Sequence, residues 1–335
     1  MIDVIYVEEG IAEHSRTQQI IKSHPKASII PCENYKEVFN PSGQNFRLQK
    51  NKPSLILAEK KGSFALPIPS SYGIGGQHNY YFSHMLNCIY DCRYCFLQGM
   101  YPSANYVLFV NFEDFIKDIE SKSSIHPDEN VWFFSGYDCD SLALEQISQF
   151  VSSFLPYFEK NSNAHLELRT KSVNIKPLIN YSPLDNVITA FSFTPEELRK
   201  QLENGVPSVE SRIKAIKKLT QNGWSVGLRF DPIIDCENFT QRYQKLFLDI
   251  FSTLPVENIH SVSLGAFRMP APFFKKMEKL HPSEKLFAGN LINHKGTIGY
   301  EQNIEQDRKQ ICQDLLLEHI PSNKLFTCET APTTQ

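Results

Sequence analysis

The chain has 335 residues and a formal net charge of −3 at pH 7, with 41% hydrophobic and 21% charged residues. This balance excludes a uniformly basic surface for nucleic acid, although a local basic patch remains possible. No apolar run approaches the roughly 18 residues that a transmembrane helix needs. The first residues also lack the basic and long apolar regions of a signal peptide. We therefore expect a cytoplasmic protein that makes no use of a membrane.

The first 79 residues are predicted to form a small α/β unit of their own. The hydrophobic pattern indicates a strand at Ile2–Val7, a helix at Ile11–Ser23 and a second strand at Ser54–Glu59. A stretch rich in proline and glycine, residues 67–76, connects this unit to the rest of the chain.

Residues 80–283 alternate between strand and helix patterns. Six strands are predicted, at Tyr80–Cys88, Val131–Asp138, His165–Lys171, Val187–Phe193, Ser225–Ile233 and Ser261–Phe267. Helices are predicted between them, at Phe112–Ile125, Ser141–Glu159, Ser211–Gln221 and Thr240–Leu254. Repeated βα units imply a parallel sheet with right-handed crossovers. The predicted fold is therefore α/β, an incomplete barrel of six βα units.

Residues 284–335 are predicted to add a hairpin and a helix. Glycines punctuate Lys285–Tyr300, as expected of a hairpin, and Ile304–Ile320 has a helical pattern. Between Arg268 and Tyr300 we count six Lys or Arg against two acidic residues, a local charge of +4. This charge fits either a solvated helix face or a contact with phosphate groups.

Polar residues follow each predicted strand. In chain order they are Cys88, the loop from Ser135 to Ser141, Lys171, Ser192, Asp231 and Arg268. In barrels of this kind the active site forms at the C-terminal ends of the strands. We therefore expect these residues to converge on one mouth.

Three cysteines within eight residues form the strongest motif in the chain. Cys88, Cys92 and Cys95 have the spacing C-x3-C-x2-C. Electron-transfer [4Fe–4S] clusters normally have four cysteine ligands, so a set of three leaves one iron open. This spacing resembles that of the radical S-adenosylmethionine (SAM) enzymes. The alternative is a zinc site of three cysteines and His84, which lies four residues before Cys88.

Landmarks along most of the chain resemble the spore photoproduct lyases and their wider DNA-repair-photolyase-like relatives. They are Val4-Ile5-Tyr6-Val7-Glu8, Cys92 through Gln98, Val110-Asn111-Phe112-Glu113, Cys139, Arg169-Thr170-Lys171, Phe191-Ser192 and Phe267-Arg268. Two further stretches, Asp140–Glu145 and Arg229–Ile234, look more like the wider relatives. The resemblance implies a partial (βα)6 radical SAM barrel.

The resemblance also implies a reaction on DNA. In that family a 5′-deoxyadenosyl radical, made from SAM at a [4Fe–4S] cluster, removes hydrogen from C6 of a methylene-bridged thymine photoproduct. After the bridge breaks, a cysteine returns a hydrogen atom to the thymine radical, and Cys139 occupies that position. Ser141, Lys171 and Ser192 match residues that hold SAM. Lys171 would pair with its carboxylate.

The sequence departs from the family pattern at two places. Family members usually carry a tyrosine on both sides of the third cluster cysteine, and these tyrosines are implicated in returning the radical to SAM. Here the first tyrosine is kept as Tyr94, but Phe96 replaces the second tyrosine. The family hairpin is basic and aromatic, whereas this one offers His294, Lys295 and Tyr300.

The predicted partners are UV-damaged DNA and a flavodoxin-like or ferredoxin-like electron donor. We assign substrate binding to Arg268, Lys295 and Tyr300, and catalysis to Cys139 and Tyr94. Three hypotheses remain open: a lyase acting on a thymine photoproduct, a radical SAM enzyme with another substrate, and a non-catalytic iron–sulfur or zinc protein that binds DNA.

Overall fold

The computed structural model describes residues 2–68 and 72–328. The N-terminal elements are β1 Val4–Glu8, α1 Ser15–Ser23, β2 Ser28–Cys32, α2 Lys36–Phe39, α3 Phe46–Asn51, β3 Leu55–Ala58 and β4 Ala65–Pro67. None of the helices in the described ranges combines the length and hydropathy required to cross a bilayer.

The central elements carry the predicted βα alternation. They are β5 His78–Phe82, β6 Met85–Leu86, β7 Asp91–Cys92, α4 Leu97–Met100, β8 Tyr106–Phe109, α5 Phe112–Ser124, β9 Val131–Ser135, α6 Glu145–Ser148, α7 Phe150–Lys160, β10 Ala164–Thr170, α8 Lys176–Ile179 and β11 Val187–Ser192.

The remaining elements complete the sheet and form the C-terminal hairpin. They are α9 Glu196–Leu202, β12 Glu203–Asn204, α10 Val209–Gln221, β13 Val226–Ile233, α11 Phe239–Phe251, β14 Ile259–Ala266, β15 Arg268–Pro270, α12 Ala271–Leu280, β16 Leu291–His294, β17 Thr297–Tyr300, α13 Gln302–Leu317 and β18 Leu325–Thr327.

The main sheet has eight strands in the order β18-β14-β13-β11-β10-β9-β5-β4. Within the described ranges, β5, β9, β10, β11, β13, β14 and β18 pair in parallel, while β4 is antiparallel to β5. The predicted parallel sheet is thus confirmed. The sequence did not predict β18, because a three-residue strand is too short to show a periodic pattern.

A second sheet of five strands has the order β2-β1-β3-β8-β6. Its last two strands come from beyond residue 79, and one continuous core of buried side chains includes residues from both sheets. The N-terminal unit therefore shares a sheet and a core with the following segment. The division at residues 79 and 283 stays a prediction.

Several predicted elements differ in their bounds: the helix predicted from Ile11 begins at Ser15, the strand predicted to Asp138 ends at Ser135, and the hairpin predicted from Lys285 begins at Leu291. Two further differences change the course of the chain. The strand predicted at Tyr80–Cys88 ends at Phe82, because Met85 and Leu86 leave the main sheet and pair with β8 of the second sheet. The helix predicted at Ser141–Glu159 begins only at Glu145 and is divided into α6 and α7. Gln149 separates them with a left-handed φ of 50°, which a regular helix cannot contain.

The C-terminal hairpin follows β15 in a three-stranded antiparallel sheet, in the order β15-β17-β16. Lys295 and Gly296 form its two-residue turn with φ values of 49° and 96°. Positive φ at both turn positions is the type I′ arrangement that favours the twist of a tight hairpin. The predicted hairpin is present at residues 291–300.

Candidate functional site

The cysteine loop, residues 88–95, follows β6 of the second sheet and is fixed by hydrogen bonds. β7 within it pairs antiparallel with β12, which places Cys92 opposite Glu203. The Cys95 amide donates to the Cys92 carbonyl at 3.1 Å, and the Gln98 side chain donates to the same carbonyl at 2.8 Å. Gln98 belongs to the segment that carries the family resemblance, and the structure shows that it holds the loop.

Burial and nearby lysines act in opposite directions on the three thiols. Burial raises the pKa of the Cys88 thiol to about 12 and also raises the pKa of Cys92 and Cys95. The positive charges of Lys50 and Lys171 oppose the rise for Cys95. Lys50 also donates a hydrogen bond to the Cys88 carbonyl. Because iron binds thiolates, these cations favour the form of the loop that holds a cluster.

The spacing of the thiols is wrong for a single zinc ion. Zinc bonds of about 2.3 Å in a tetrahedron place neighbouring sulfurs about 3.8 Å apart. In the described part of the chain, the one group of three possible ligands that all lie within 4.8 Å of one another is His78, His126 and Glu129. At least one pair among the three cysteine sulfurs therefore lies more than 4.8 Å apart, which is wider than a single zinc ion allows.

His84 packs inside the aromatic core. Its ring stacks on Phe150 with centroids 3.8 Å apart, and its edge faces Phe112 at 6.2 Å. Burial lowers the pKa of His84 to about 3. The zinc alternative, which needs His84 to join the cysteines, receives no support from this arrangement.

Asp140 holds the loop after β9 against the end of β10. Its carboxylate accepts hydrogen bonds from the Thr170 hydroxyl and the Lys171 amide, both at 2.6 Å. It also accepts the amides of Leu142 and Ala143, at 3.0 and 2.9 Å. The predicted residues on either side of this carboxylate, Ser141 and Lys171, are thereby held at the ends of neighbouring strands.

Gly136 allows the same loop to approach β10 closely. A Cβ atom there would lie 2.7 Å from Ser141 Oγ and 2.8 Å from the Arg169 carbonyl oxygen. Ser141 Oγ also lies 2.8 Å from Ser135 Oγ. The backbone of Gly136 is left-handed, with φ of 83°.

Gly136→Ala should therefore lower the free energy of unfolding by more than the backbone strain alone, which is about 1–2 kcal/mol. Gly62→Ala is the matched control, because Gly62 has the same φ of 83° but nothing within 4 Å of the added Cβ. Urea denaturation of both variants measures the difference. Equal losses would show that the loop relaxes around the new methyl group.

Lys171 and Tyr94 meet at a carboxylate that the sequence analysis did not identify. Glu203 lies 3.1 Å from Lys171 Nζ, and the Tyr94 hydroxyl donates to it. Thr194 donates from 2.6 Å, and Arg212 Nη2 lies 3.3 Å away. Burial alone would raise the pKa of the Glu203 carboxyl, but Lys171 and Arg212 outweigh it and lower the pKa to about 2. No sequence motif marks Glu203, which lies between the predicted strand Val187–Phe193 and the predicted helix Ser211–Gln221.

Ser192 lies at the end of β11, next to this carboxylate network. Its carbonyl accepts a hydrogen bond from Arg212, the same guanidinium that contacts Glu203. The structure thus brings Tyr94, Lys171 and Ser192 to one region, as predicted. Their roles in binding a cofactor stay predictions.

Cys139 is buried at the end of the loop after β9, beside an aromatic surface. Burial is the main reason that its thiol pKa is raised well above the usual range, and the nearby Cys88 adds to the rise. Tyr137, two residues earlier, is 52% exposed. Its ring lies 4.6 Å from Tyr81 and 5.6 Å from Phe96, between centroids. The protonated thiol therefore lies next to Cys88 of the cysteine loop, and the exposed ring of Tyr137 belongs to the same loop after β9.

The three predicted substrate residues lie in different environments. Arg268 pairs with both carboxylate oxygens of Asp231, at 3.1 and 3.2 Å, with Tyr72 on its other side. Lys295 is in the hairpin turn. Tyr300 is only 4% exposed, and its hydroxyl accepts the Asp235 amide at 2.9 Å. This geometry gives Tyr300 a structural contact and leaves almost none of its surface for DNA.

Comparisons with known proteins show to which family the chain belongs. A family model described as spore photoproduct lyase matches residues 2–320. The chain belongs to the spore photoproduct lyase family. Among the curated family members, spore photoproduct lyase of Bacillus subtilis (strain 168) is 22% identical over 84% of this chain and 83% of its own length. The protein of the same name from Clostridium acetobutylicum is 24% identical over 62% of each chain.

Solved structures of spore photoproduct lyase have the same fold. One mutant form superimposes with a TM-score of 0.85 at 15% identity, covering 98% of both chains. Another mutant, with bound AdoMet and dinucleoside spore photoproduct, has the same TM-score and covers 99% of both chains. The fold class predicted from the sequence, an incomplete radical SAM barrel, is confirmed.

Proposed function

We propose that this member of the spore photoproduct lyase family is a radical SAM lyase that reverses a thymine photoproduct in DNA. The observation that carries the proposal is the meeting of the cysteine loop, Lys171 and a buried Cys139 at the C-terminal ends of the strands. Family membership over residues 2–320 supports the same reaction class.

The residues fit the two cofactors that this reaction requires. Cys88, Cys92 and Cys95 would each hold one iron of a [4Fe–4S] cluster and leave the fourth open for SAM. Lys171, with a side chain 15% exposed, offers a positive charge to the SAM carboxylate. Cluster and SAM together supply a reducing electron and a 5′-deoxyadenosyl radical. The protein's own task is to place SAM, exclude water and hold the lesion.

Cys139 would donate the hydrogen atom that completes repair. The S–H bond must be intact for this step, and burial keeps the thiol protonated. When the bridged thymine fragments, the Cys139 hydrogen would move to the thymine radical and leave a sulfur radical. In the cysteine loop, Tyr94 carries an O–H group that could take part in the return of the radical to SAM, whereas Phe96 has none.

The substrate would be DNA with the lesion extruded toward the exposed ring of Tyr137 and the half-buried ring of Tyr81. Tyr137 and Tyr81 offer flat surfaces on which an unstacked base can lie. Arg268 and Lys295 would contact the lesion or its phosphates, with Arg268 oriented by Asp231. A flavodoxin-like or ferredoxin-like donor in the cytoplasm would supply the electron.

The test is repair of a dinucleotide photoproduct by anaerobically reconstituted protein, with SAM and dithionite. We expect a brown protein that cleaves SAM and releases thymine dinucleotide, measured by chromatography. SAM cleavage without repair would favour the second candidate, the same chemistry on another substrate. The altered hairpin and Phe96 are the observations that favour it. A colourless zinc protein that leaves SAM intact would contradict both.

A further inference from the structure

Glu203 joins four segments of the chain through one buried carboxylate. Its contacts are the Tyr94 hydroxyl from the cysteine loop, Lys171 from the end of β10, Thr194 after β11 and Arg212 from α10. Neither the glutamate nor the arginine has any exposed side-chain surface. A charge buried in this way is held in place by its partners, because removing one leaves the others unpaired.

Two cations contact the single carboxylate of Glu203. They are Lys171 and Arg212. Lys171 lies on the partly exposed side of this network, and its charge also acts on the thiols of Cys92 and Cys95. A lysine ammonium has three N–H donors, so Lys171 can contact Glu203 and a second carboxylate from a ligand at the same time. The SAM carboxylate is such a group.

The backbone of Glu203 is fixed to the cysteine loop. β12 pairs with β7, with Glu203 opposite Cys92, and the Arg93 amide donates to the Leu202 carbonyl at 2.7 Å. A displacement of Lys171 relative to the three cysteines would therefore require Glu203 to give up either its side-chain or its backbone contacts. The carboxylate sets how far the lysine lies from the cluster position.

We infer that Glu203 is a positioning residue for SAM: it acts through Lys171, which it orients toward the SAM carboxylate, and it anchors Tyr94 beside the cluster. This inference rests on the proposed function, since it needs Lys171 to bind SAM. The competing interpretation is a purely structural role, in which Glu203 only satisfies Arg212 and stabilises the packing of α10 against β11.

A double-mutant cycle separates the two interpretations. SAM affinity is measured by equilibrium dialysis on reconstituted, unreduced protein, so that no SAM is cleaved. We expect Glu203→Gln to lower the affinity about tenfold, because the amide no longer holds the charged lysine. In a Lys171→Met background the same change should lower the affinity by less than about twofold, because the lysine through which Glu203 acts is already absent. Iron content should stay at the wild-type level in all variants.

Two further variants keep the inference testable if Glu203→Gln is unstable. Thr194→Val removes one hydrogen bond to Glu203 without changing any charge, and we expect a two- to fivefold loss of SAM affinity. Glu145→Gln is the matched control. Glu145 is also buried, but its carboxylate accepts the backbone amide of Val151 and caps α7. We expect the Glu145→Gln substitution to lower the melting temperature and to leave SAM affinity unchanged.

The outcomes are distinct. Equal losses from Glu203→Gln in the presence and absence of Lys171 would overturn the inference, as would a loss of stability with unchanged SAM affinity. If Lys171→Met alone leaves SAM affinity unchanged, the proposed role of Lys171 fails first. If reconstituted wild-type protein does not bind SAM, the proposed function itself fails.

Discussion

Replacing Cys92 with alanine should abolish the iron–sulfur chromophore and SAM cleavage together. In the proposed site three cysteines supply the ligands, so the loss of one would leave a second iron without a protein ligand and the cluster should not assemble. We select Cys92 for replacement because its side chain is buried and its backbone pairs with that of Glu203. Iron and sulfide analysis after anaerobic reconstitution, with the visible spectrum, measures the result.

His84→Ala is the control for this prediction. His84 stacks on Phe150 in the core, so its loss should lower stability but leave iron content unchanged. A Cys92→Ala protein with four irons and full SAM cleavage would show that the ligands are wrongly assigned. Loss of metal on replacing His84 would restore the zinc hypothesis.

The cysteine motif and the strand ends could be identified from the sequence because they depend on local spacing. Three cysteines in C-x3-C-x2-C and polar residues after apolar strands are visible in the sequence. The order of parallel strands then brings those ends to one edge. The structure confirms the incomplete barrel, and the family match confirms the resemblance.

Contacts between distant segments could not be predicted. Glu203 lies outside every predicted element, and only the pairing of β12 with β7 brings it to Tyr94 and Cys92. Asp140 likewise resembled a turn residue, although its carboxylate accepts four hydrogen bonds. Tyr300 was assigned to DNA binding from its place in the hairpin, but its side chain is buried. The buried face of a short strand depends on packing against other elements, which the sequence pattern does not specify.

Cys139→Ala should change the product of the reaction. The variant should still bind SAM, cleave it and open the photoproduct, because those steps do not use the thiol. The thymine radical would then lack its hydrogen donor and react with whatever reaches it, giving adducts with the reductant. Cys139 is buried near Cys88, so its thiol would lie close to the proposed cluster position. Mass spectrometry of the dinucleotide products measures the effect.

The control for Cys139 is Cys236→Ala. Cys236 follows β13 and is half-buried near Arg242 and Asp235, so its replacement should leave clean thymine as the product. If Cys139 only fills space at the strand end, as small buried cysteines commonly do, its alanine variant should give the wild-type product at a slightly lower rate. Diversion of the product by Cys236→Ala, with clean repair by Cys139→Ala, would move the hydrogen donor to the end of β13. Diversion by Cys139→Ala alone is the result that the buried thiol and its position beside the cysteine loop predict.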